Sequence, residues 1–583
     1  MTQNPNENRP IDPTAPDGPS SGDQPVLVVG AGLSGLATAL GVALNGGRAE
    51  VFEAADLVGG AAAYSGGQVW VGANHVAPRE GVDGDTLELA ERYVRAIAHH
   101  HPEVLDEAAM KRWLEVSPVA TEYWEQQGAI RWTVIPGLAD YHNEADGARE
   151  AGRYLTNEVI DGSELGEWRE KLRVSPYFPV GTTYADMFVK GRRLTYVDDN
   201  ETGEQRAGVQ AFGLPESRDE EKPAATGGDP LTFGTGVVAS FLRRVLQEDR
   251  ITIHTGHPVT GLFTDESGDV LGLRADGPDG PVERTGPVVL ATSTYDWDPE
   301  LVRELVGLDE DDFGSVAPDS VRGDGIKLAR AVGGAVAKLP ATAIPMLPGW
   351  KSSIGSGYAY GPDYAMPHAM IVDKTGKRYC DDSYWVDIVE KTMDPDDPHL
   401  PFFLVFDEQH HQKYGLGVTP PAGDYPEGLV TSASTLRELG EELGIDGAQL
   451  ELTAKSFSEN ARRGVDPDFG RGSVTYVKRF AGDPANEPNP VLGPIEQAPF
   501  HGFRLRFVGT GIGSSGVHID GDGHVLDEQG APIRGLYAVG SCAALTTVGT
   551  GYNSGIALGR GLTLAYLVSR ELAGDPVPSN PKE

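Results

Sequence analysis

Near its start the chain alternates short, wholly apolar runs with longer stretches rich in alanine and leucine. Val26 to Val29 is apolar at every position, which predicts a strand covered on both faces. A helical stretch runs from there to about Leu44, and "AEVFE" predicts a second strand that ends at Glu53. Strand, helix, strand in such close succession predicts a βαβ unit and a parallel sheet. Residues 232–273 read as a helix followed by strands, with a hairpin at Glu266-Ser-Gly-Asp. "GPVVLATSTYDW" begins with another apolar strand, Gly323 to Ala337 predicts an amphipathic helix, and Gly535 to Gly540 a late apolar strand. Residues 200–230, rich in Gly, Pro, Asp and Glu, show no period and predict a surface excursion. Residues 1–23 are polar and proline-rich, without the basic start and apolar core of a signal peptide, and predict a disordered tail. No internal repeat is visible.

At 583 residues the chain exceeds one ordinary domain, so two lobes with substantial cores are expected. No apolar run reaches the length of a membrane-spanning helix, and two cysteines, Cys380 and Cys542, exclude a disulfide framework. The cytoplasm is the expected compartment. With 48 basic against 86 acidic residues the formal charge is −38. Such a surface repels phosphate backbones and anionic lipid, so no nucleic-acid or membrane partner is expected.

The first βαβ unit carries candidate chemistry. It contains Gly30-Ala-Gly32-Leu-Ser34-Gly35 between strand and helix. Gly30 permits a tight turn, Gly32 lets a pyrophosphate approach the backbone, and Gly35 lets helix pack on strand. The helix N-terminus offers free N–H groups to the phosphates. Glu53 lies 53 − 32 = 21 residues beyond Gly32, where a carboxylate meets adenosine ribose hydroxyls. NAD and FAD share this motif. What separates them is the next stretch, "ADLVGGAAAYSGGQVW", with its glycine pairs Gly59-Gly60 and Gly66-Gly67.

In those pairs the chain resembles the flavoprotein superfamily of fumarate reductases and 3-ketosteroid dehydrogenases, and "SGGQVW", from Ser65, looks most like the ketosteroid branch. The resemblance implies an α/β fold: a Rossmann-like (βαβ) FAD-binding domain, discontinuous over 24–300 and 495–583, with an inserted α+β substrate-capping domain over 301–494. It implies non-covalently bound FAD. Its contacts would come from Gly30, Gly32, Ser34, Gly35, Glu53, Gly59, Gly60, Ser65, Gly66, Gly67, Val259, Ala291, Thr292, Gly540, Ser541, Gly555 and Ile556. At Ala291-Thr292-Ser293-Thr294 the family usually has Ala-Thr-Gly-Gly. "GKRYCDD", around Arg378, is similar to the cap motif Gly-x-Arg-aromatic-x-x-acid.

Removing two hydrogens from adjacent carbons needs a hydride acceptor, a base, and a donor that polarises the neighbouring carbonyl. The resemblance places Tyr552, in "GTGYNSGIALGRG", as hydrogen-bond donor to a substrate ketone. Backbone N–H groups near Gly555 and Ile556 would face the pyrimidine end of the flavin, and Gly555 would share in substrate binding. Tyr141 in "GLADYHNEADGAREAGRYL" matches a tyrosine that relays the proton. In Δ1-dehydrogenases the base is a tyrosine soon after the Arg378 motif, and fumarate reductases have an arginine there. The matching position is Val386, which is neither, and Tyr384 is the nearest substitute. Tyr552-Asn-Ser554-Gly555 looks closer to the Tyr-x-Ser-Gly of Δ4-dehydrogenases; Ser554 either helps bind the carbonyl or caps the helix. Arg560 is expected to face away. His75 and His142 flank matched loops. His410-His411 lacks metal-ligand spacing, and no metal is expected.

The expected function is thus an FAD-dependent dehydrogenase of a small hydrophobic ring ketone. A fumarate- or urocanate-type reductase, and a ligand-binding FAD-fold protein without turnover, are the alternatives. The electron acceptor and oligomeric state are unknown from sequence.

Overall fold

The structure is a computed structural model describing residues 24–98, 102–178, 181–188, 192–198, 205–211, 228–340, 345–353, 355–417, 419–549 and 551–577. The tail expected over 1–23 lies outside the described residues. So does most of the 200–230 excursion, but of its described residues Gln205–Ala211 form a strand antiparallel to Arg192–Asp198, and 228–230 lead into a short strand, Pro230–Leu231, paired with Ile160–Asp161.

The central sheet has six strands. β1 (Val26–Val29) is buried at all four positions, as its unbroken apolar run requires. β2 (Ala49–Phe52) and β4 (Val288–Leu290) pair with it in parallel on either side. β3 (Ile251–His254) extends the sheet beyond β2, and β6 (Pro532–Ala538) extends it beyond β4. β5 (His524–Leu526) closes that edge antiparallel. Chain segments more than two hundred residues apart in sequence therefore lie side by side in one sheet. α1 (Leu33–Leu44) is almost wholly buried, and its Ala- and Leu-rich composition suits a covered helix. α2 (Phe233–Val245) and the last helix, α5 (Ile556–Leu572), pack against it. The hairpin expected at Glu266-Ser-Gly-Asp joins Val259–Thr264 to Val270–Gly277.

The inserted lobe contributes two further four-stranded sheets. One is antiparallel, built from Ala369–Asp373, Phe402–Asp407, Phe500–Arg504 and Thr431–Ala433. The other contains Phe313–Ser315, Arg506–Gly509, Met346–Lys351 and Tyr358–Tyr360. Both take a strand from beyond residue 494, the boundary expected for the cap, so pairing with the inserted lobe continues to Gly509. Residues 498–505 read as a return to the first lobe, but the partner of a strand is set by distant chain, which local pattern does not contain.

The Arg378 motif forms a buried ion network. The Arg378 guanidinium meets Asp382 at 2.6 Å and Asp466 at 2.8 Å, and Arg471 meets Asp382 at 3.1 Å. Burial raises the pKa of Asp382, but the two guanidiniums outweigh it and hold the carboxyl below its ordinary range. The two helices of the lobe that matter below are α3 (Trp385–Thr392), directly after this network, and α4 (Thr475–Phe480). Among the described residues no helix is long and apolar enough to cross a membrane.

Candidate active site

A cleft of about 1200 Å³ opens where β1, β2 and β4 end, lined by Val29, Gly30, Glu53 and Ala291. Gly30 has φ +107°, and a Cβ there would lie 2.5 Å from the Ala291 carbonyl oxygen, so only glycine turns the chain between β1 and α1. Gly32 faces open space, with no atom within 4 Å of where its Cβ would be. No side chain caps α1, which leaves its first N–H groups free toward the cleft. Glu53 accepts from the Ala31 N–H at 2.8 Å and from the Ala55 N–H at 3.0 Å. Burial raises its pKa, and these two donors partly offset that.

At the other end the wall is Gly540, Ser541, Tyr552, Ser554, Gly555 and the first turn of α5 at Ala557 and Leu558. Gly555 has φ +83°, and a Cβ would come within 2.7 Å of the Trp70 nitrogen. Its carbonyl accepts the Trp70 N–H at 3.0 Å, and this contact seats α5 with its positive end at the cleft. The cleft thus joins an uncapped helix start for a pyrophosphate, a carboxylate for sugar hydroxyls, and a second helix start for the anionic end of a ring system. These features fit FAD.

The same wall carries Ser34, Gly60, Ser65, Gly66, Gly67, Val259, Ala291 and Thr292, all expected there. Gly35, Gly59 and Ile556 are not on it. A Cβ on Gly35 would collide with the Gly30 carbonyl, so its role is packing. Gly59 donates to the Ala31 carbonyl behind the cleft, and the Ile556 N–H is used by Asn553. Ser293 replaces a family glycine and still adopts the left-handed conformation, φ +64°, on the cleft wall. Gln68, Thr510 and Ile512 also line it; Gln68 stands inside the SGGQVW stretch but was not singled out by sequence, nor were Thr510 and Ile512.

A second cleft of similar size adjoins the first, and Ser65, Gly66, Gln68, Thr510, Ile512, Tyr552 and Ser554 line both. Tyr552 therefore stands where the two meet. The second cleft is walled by seven tyrosines (Tyr64, Tyr141, Tyr184, Tyr360, Tyr364, Tyr476 and Tyr552) with Phe178, Trp385 and aliphatic side chains. Among the described residues its lining contains no Asp, Glu, Lys, Arg or His.

Tyr552 and Tyr141 differ electrostatically. Burial pushes the Tyr552 hydroxyl well above the ordinary phenol range, with nothing to offset it. Burial also raises Tyr141 above the ordinary phenol range, and hydrogen bonds from Ser554, Tyr476 and Trp385 offset only part of that shift. The Tyr141 ring lies 4.1 Å from that of Tyr476 and 6.0 Å from that of Trp385, which is in turn 6.0 Å from Tyr552. Asn553 joins the two loops: its Oδ1 accepts the Tyr141 N–H at 2.9 Å and the Tyr93 hydroxyl at 2.8 Å.

Tyr384 is not on either cleft wall. Its hydroxyl lies 3.3 Å from His142 Nδ1, and His142 Nε2 is 3.1 Å from the Tyr552 carbonyl oxygen. A carbonyl only accepts, so Nε2 carries the proton and Tyr384 donates to Nδ1. As the residue preceding α3, Tyr384 is turned from the cleft while Trp385 is turned into it. Val386 packs on the core instead. Ser554 does not cap α5; it lies on the wall of both clefts. His75 pairs with Glu125 at 2.6 Å, outside both clefts. Arg560 is buried, donating to the Ala543 and Ala544 carbonyls at 3.2 and 2.7 Å, and faces away as expected. Cys542 is buried with its thiol pushed up to about 11, which suits neither a nucleophile nor a redox partner.

Comparison with known proteins is consistent with this geometry. The model of the FAD binding domain family matches residues 25–558. The chain is 29% identical to 4-oxocyclohexanecarboxylate 2-dehydrogenase of Sinomonas cyclohexanicum, over 94% of this chain and 92% of that one. It is 27% identical to 3-oxosteroid 1-dehydrogenase of Mycolicibacterium smegmatis, over 95% and 98%. Among solved structures, the 3-ketosteroid delta1-dehydrogenase of Sterolibacterium denitrificans in complex with 1,4-androstadiene-3,17-dione superposes with a TM-score of 0.79, at 21% identity, covering 94% of this chain and 99% of that one. That likeness extends through both lobes of the fold.

Proposed function

The chain belongs to the FAD binding domain family, and from that premise we propose that it is an FAD-dependent dehydrogenase that desaturates a neutral ring ketone next to its carbonyl. The observation that carries the reading is Tyr552, a protonated phenol at the junction of the flavin cleft and an aromatic cleft without charged side chains among the described residues.

Tyr552 donates its hydrogen bond to the ketone oxygen, and Gly555 can add its backbone N–H. As the α-proton leaves, negative charge grows on that oxygen, and a donor already in place stabilises it without reorganisation. Tyr141 takes the proton. Its partners Ser554, Tyr476 and Trp385 are donors, so they favour the phenolate, whereas nothing around Tyr552 does. Two phenols whose surroundings push their acidities apart divide the acid and base roles between them. FAD, when bound, accepts the hydride from the neighbouring carbon, leaving a carbon–carbon double bond conjugated with the ketone. The flavin cleft contains neither His nor Cys among its described lining, which supports a non-covalently held cofactor.

The clefts also argue against the alternatives. A reductase of unsaturated acids needs cationic side chains for the carboxylates, and the described lining has none. For the same reason the 4-oxocyclohexanecarboxylate named for the Sinomonas relative is less suited to this cleft than an uncharged ketone such as the 3-oxosteroid named for the Mycolicibacterium relative.

The test is anaerobic spectroscopy of the yellow protein with a saturated 3-ketosteroid, a 3-keto-4-ene steroid, 4-oxocyclohexanecarboxylate, cyclohexanone and succinate. Bleaching by an uncharged ketone, with none by succinate, is the expected result, and the ketone that bleaches assigns the position of the new double bond. Bleaching by the acids alone would overturn the reading, and no bleaching by any of the five would favour a ligand-binding protein without turnover.

A further inference from the structure

Away from both clefts, the inserted lobe brings together one carboxylate and two imidazoles from distant parts of the chain. Phe402–Asp407 leads into a short helix, Glu408–Lys413, and pairs antiparallel with Phe500–Arg504, so Phe406 stands opposite His501. Glu408 and His411 share one face of that helix at i, i+3, and His501 approaches them from the strand. Glu408 Oε2 is 3.2 Å from His411 Nδ1 and 3.0 Å from His501 Nε2, and the three ligand atoms all lie within 4.8 Å of one another. In tetrahedral coordination with bonds of about 2.0–2.2 Å, ligand atoms sit about 3.4 Å apart.

Hydrogen bonding on the outer side of each ligand gives an independent indication. His411 Nε2 lies 2.8 Å from the Gly423 carbonyl oxygen. Because that oxygen only accepts, Nε2 carries the hydrogen, and in the neutral ring Nδ1 then presents a lone pair. This lone pair faces the Glu408 carboxylate, and two electron-rich atoms in that position need a cation between them. His501 Nδ1 is held by Ser432 Oγ at 2.8 Å, and Glu408 Oε1 accepts from Gln412 Nε2 at 2.6 Å. Each ligand thus has an outer partner that fixes its orientation, the arrangement found around metal-ligating histidines and carboxylates. The three side chains are 24%, 16% and 5% exposed, open enough for a hydrated ion to enter and keep a water.

We propose that Glu408, His411 and His501 form a binding site for one divalent transition-metal ion of the zinc class, with water completing the coordination, which ties the 408–413 helix to the neighbouring strand. An imidazolium at His411 is the competing occupant, since it would satisfy the same carboxylate with no metal present.

The test uses the full-length flavoprotein, stripped with a chelator and titrated with Zn²⁺ in competition with a chromogenic zinc indicator. One tightly bound equivalent per chain is expected. His411→Gln and Glu408→Gln should each weaken it by at least tenfold, with flavin content unchanged because none of the three residues lines either cleft. Gln412→Ala should weaken it less. Absence of a tight equivalent, or equal zinc affinity in both flavin-loaded variants, would overturn the proposal in favour of the ion pair.

Discussion

At the residue scale the candidate site depends on two phenols in unequal surroundings. Tyr552→Phe removes the donor to the ketone while leaving the ring in place, so FAD should stay bound and turnover should fall by roughly 10²-fold or more; stopped-flow reduction of the bound flavin measures it. Ser554 provides the largest of the effects that offset burial at Tyr141. Losing a donor to the phenolate raises its pKa. Ser554→Ala should therefore move the alkaline rise of kcat to higher pH, by roughly 1–2 units for a hydrogen bond to a charged group. A pH profile of unchanged shape and position would remove Tyr141 from the base role. Tyr552 and Tyr141 were legible in sequence because each sits in a recognisable stretch. Tyr476 and Trp385 were not, since they reach Tyr141 from helices whose local pattern records nothing of that contact. Tyr384 shows the converse: proximity to a motif is no guide to direction, and it faces His142 while the next residue faces the cleft.

At the scale of elements, the flavin cleft depends on where α5 ends up, and a histidine secures that helix at its far end. His524, in β5, lies 2.8 Å from Asp520 and 2.8 Å from Glu571 near the end of α5. The two carboxylates raise its pKa to about 10, above the ~6.5 of a free histidine. Its contribution is then complete below about pH 6.5 and declines as pH rises through 10. His524→Gln should lower the melting temperature by a few degrees at pH 6 and have little effect at pH 10.5, and differential scanning calorimetry at the two pH values distinguishes these outcomes. An equal loss at both would mean that packing, not charge, is what matters there. The βαβ unit and the 259–277 hairpin could be read from periodicity and turn residues, because their information is local. The pairing of Phe500–Arg504 with Phe402–Asp407 could not, because it joins segments whose patterns are individually ambiguous.

At the scale of the whole molecule, the inserted lobe must hold its own shape for α3 and α4 to close the aromatic cleft. The Arg378–Asp382–Asp466–Arg471 network lies directly before α3 and is almost inaccessible to water. Removing one member of such a set leaves uncompensated charge, which costs about 3–5 kcal/mol. Arg378→Met should therefore shift the urea midpoint of the inserted lobe strongly downward. It should also impair substrate-driven bleaching more than FAD retention, because the flavin cleft is built mainly on the central sheet. Flavin fluorescence and bleaching in parallel measure both.

Taken by itself, the sequence determined a dinucleotide-binding turn and, through its resemblance to a flavoprotein superfamily, the expectation of FAD and of dehydrogenase chemistry. A phosphate-binding turn, a terminal carboxylate and repeated glycine pairs each place their requirement within a few consecutive residues, where steric and electrostatic demands on the backbone leave little freedom. Only the tertiary structure set the unequal surroundings of Tyr141 and Tyr552, the absence of charged side chains from the aromatic cleft among its described residues, and the meeting of Glu408 and His411 with His501. Each of these depends on side chains from separate elements meeting at hydrogen-bond distance, and that is a property of packing, which no local stretch of sequence contains.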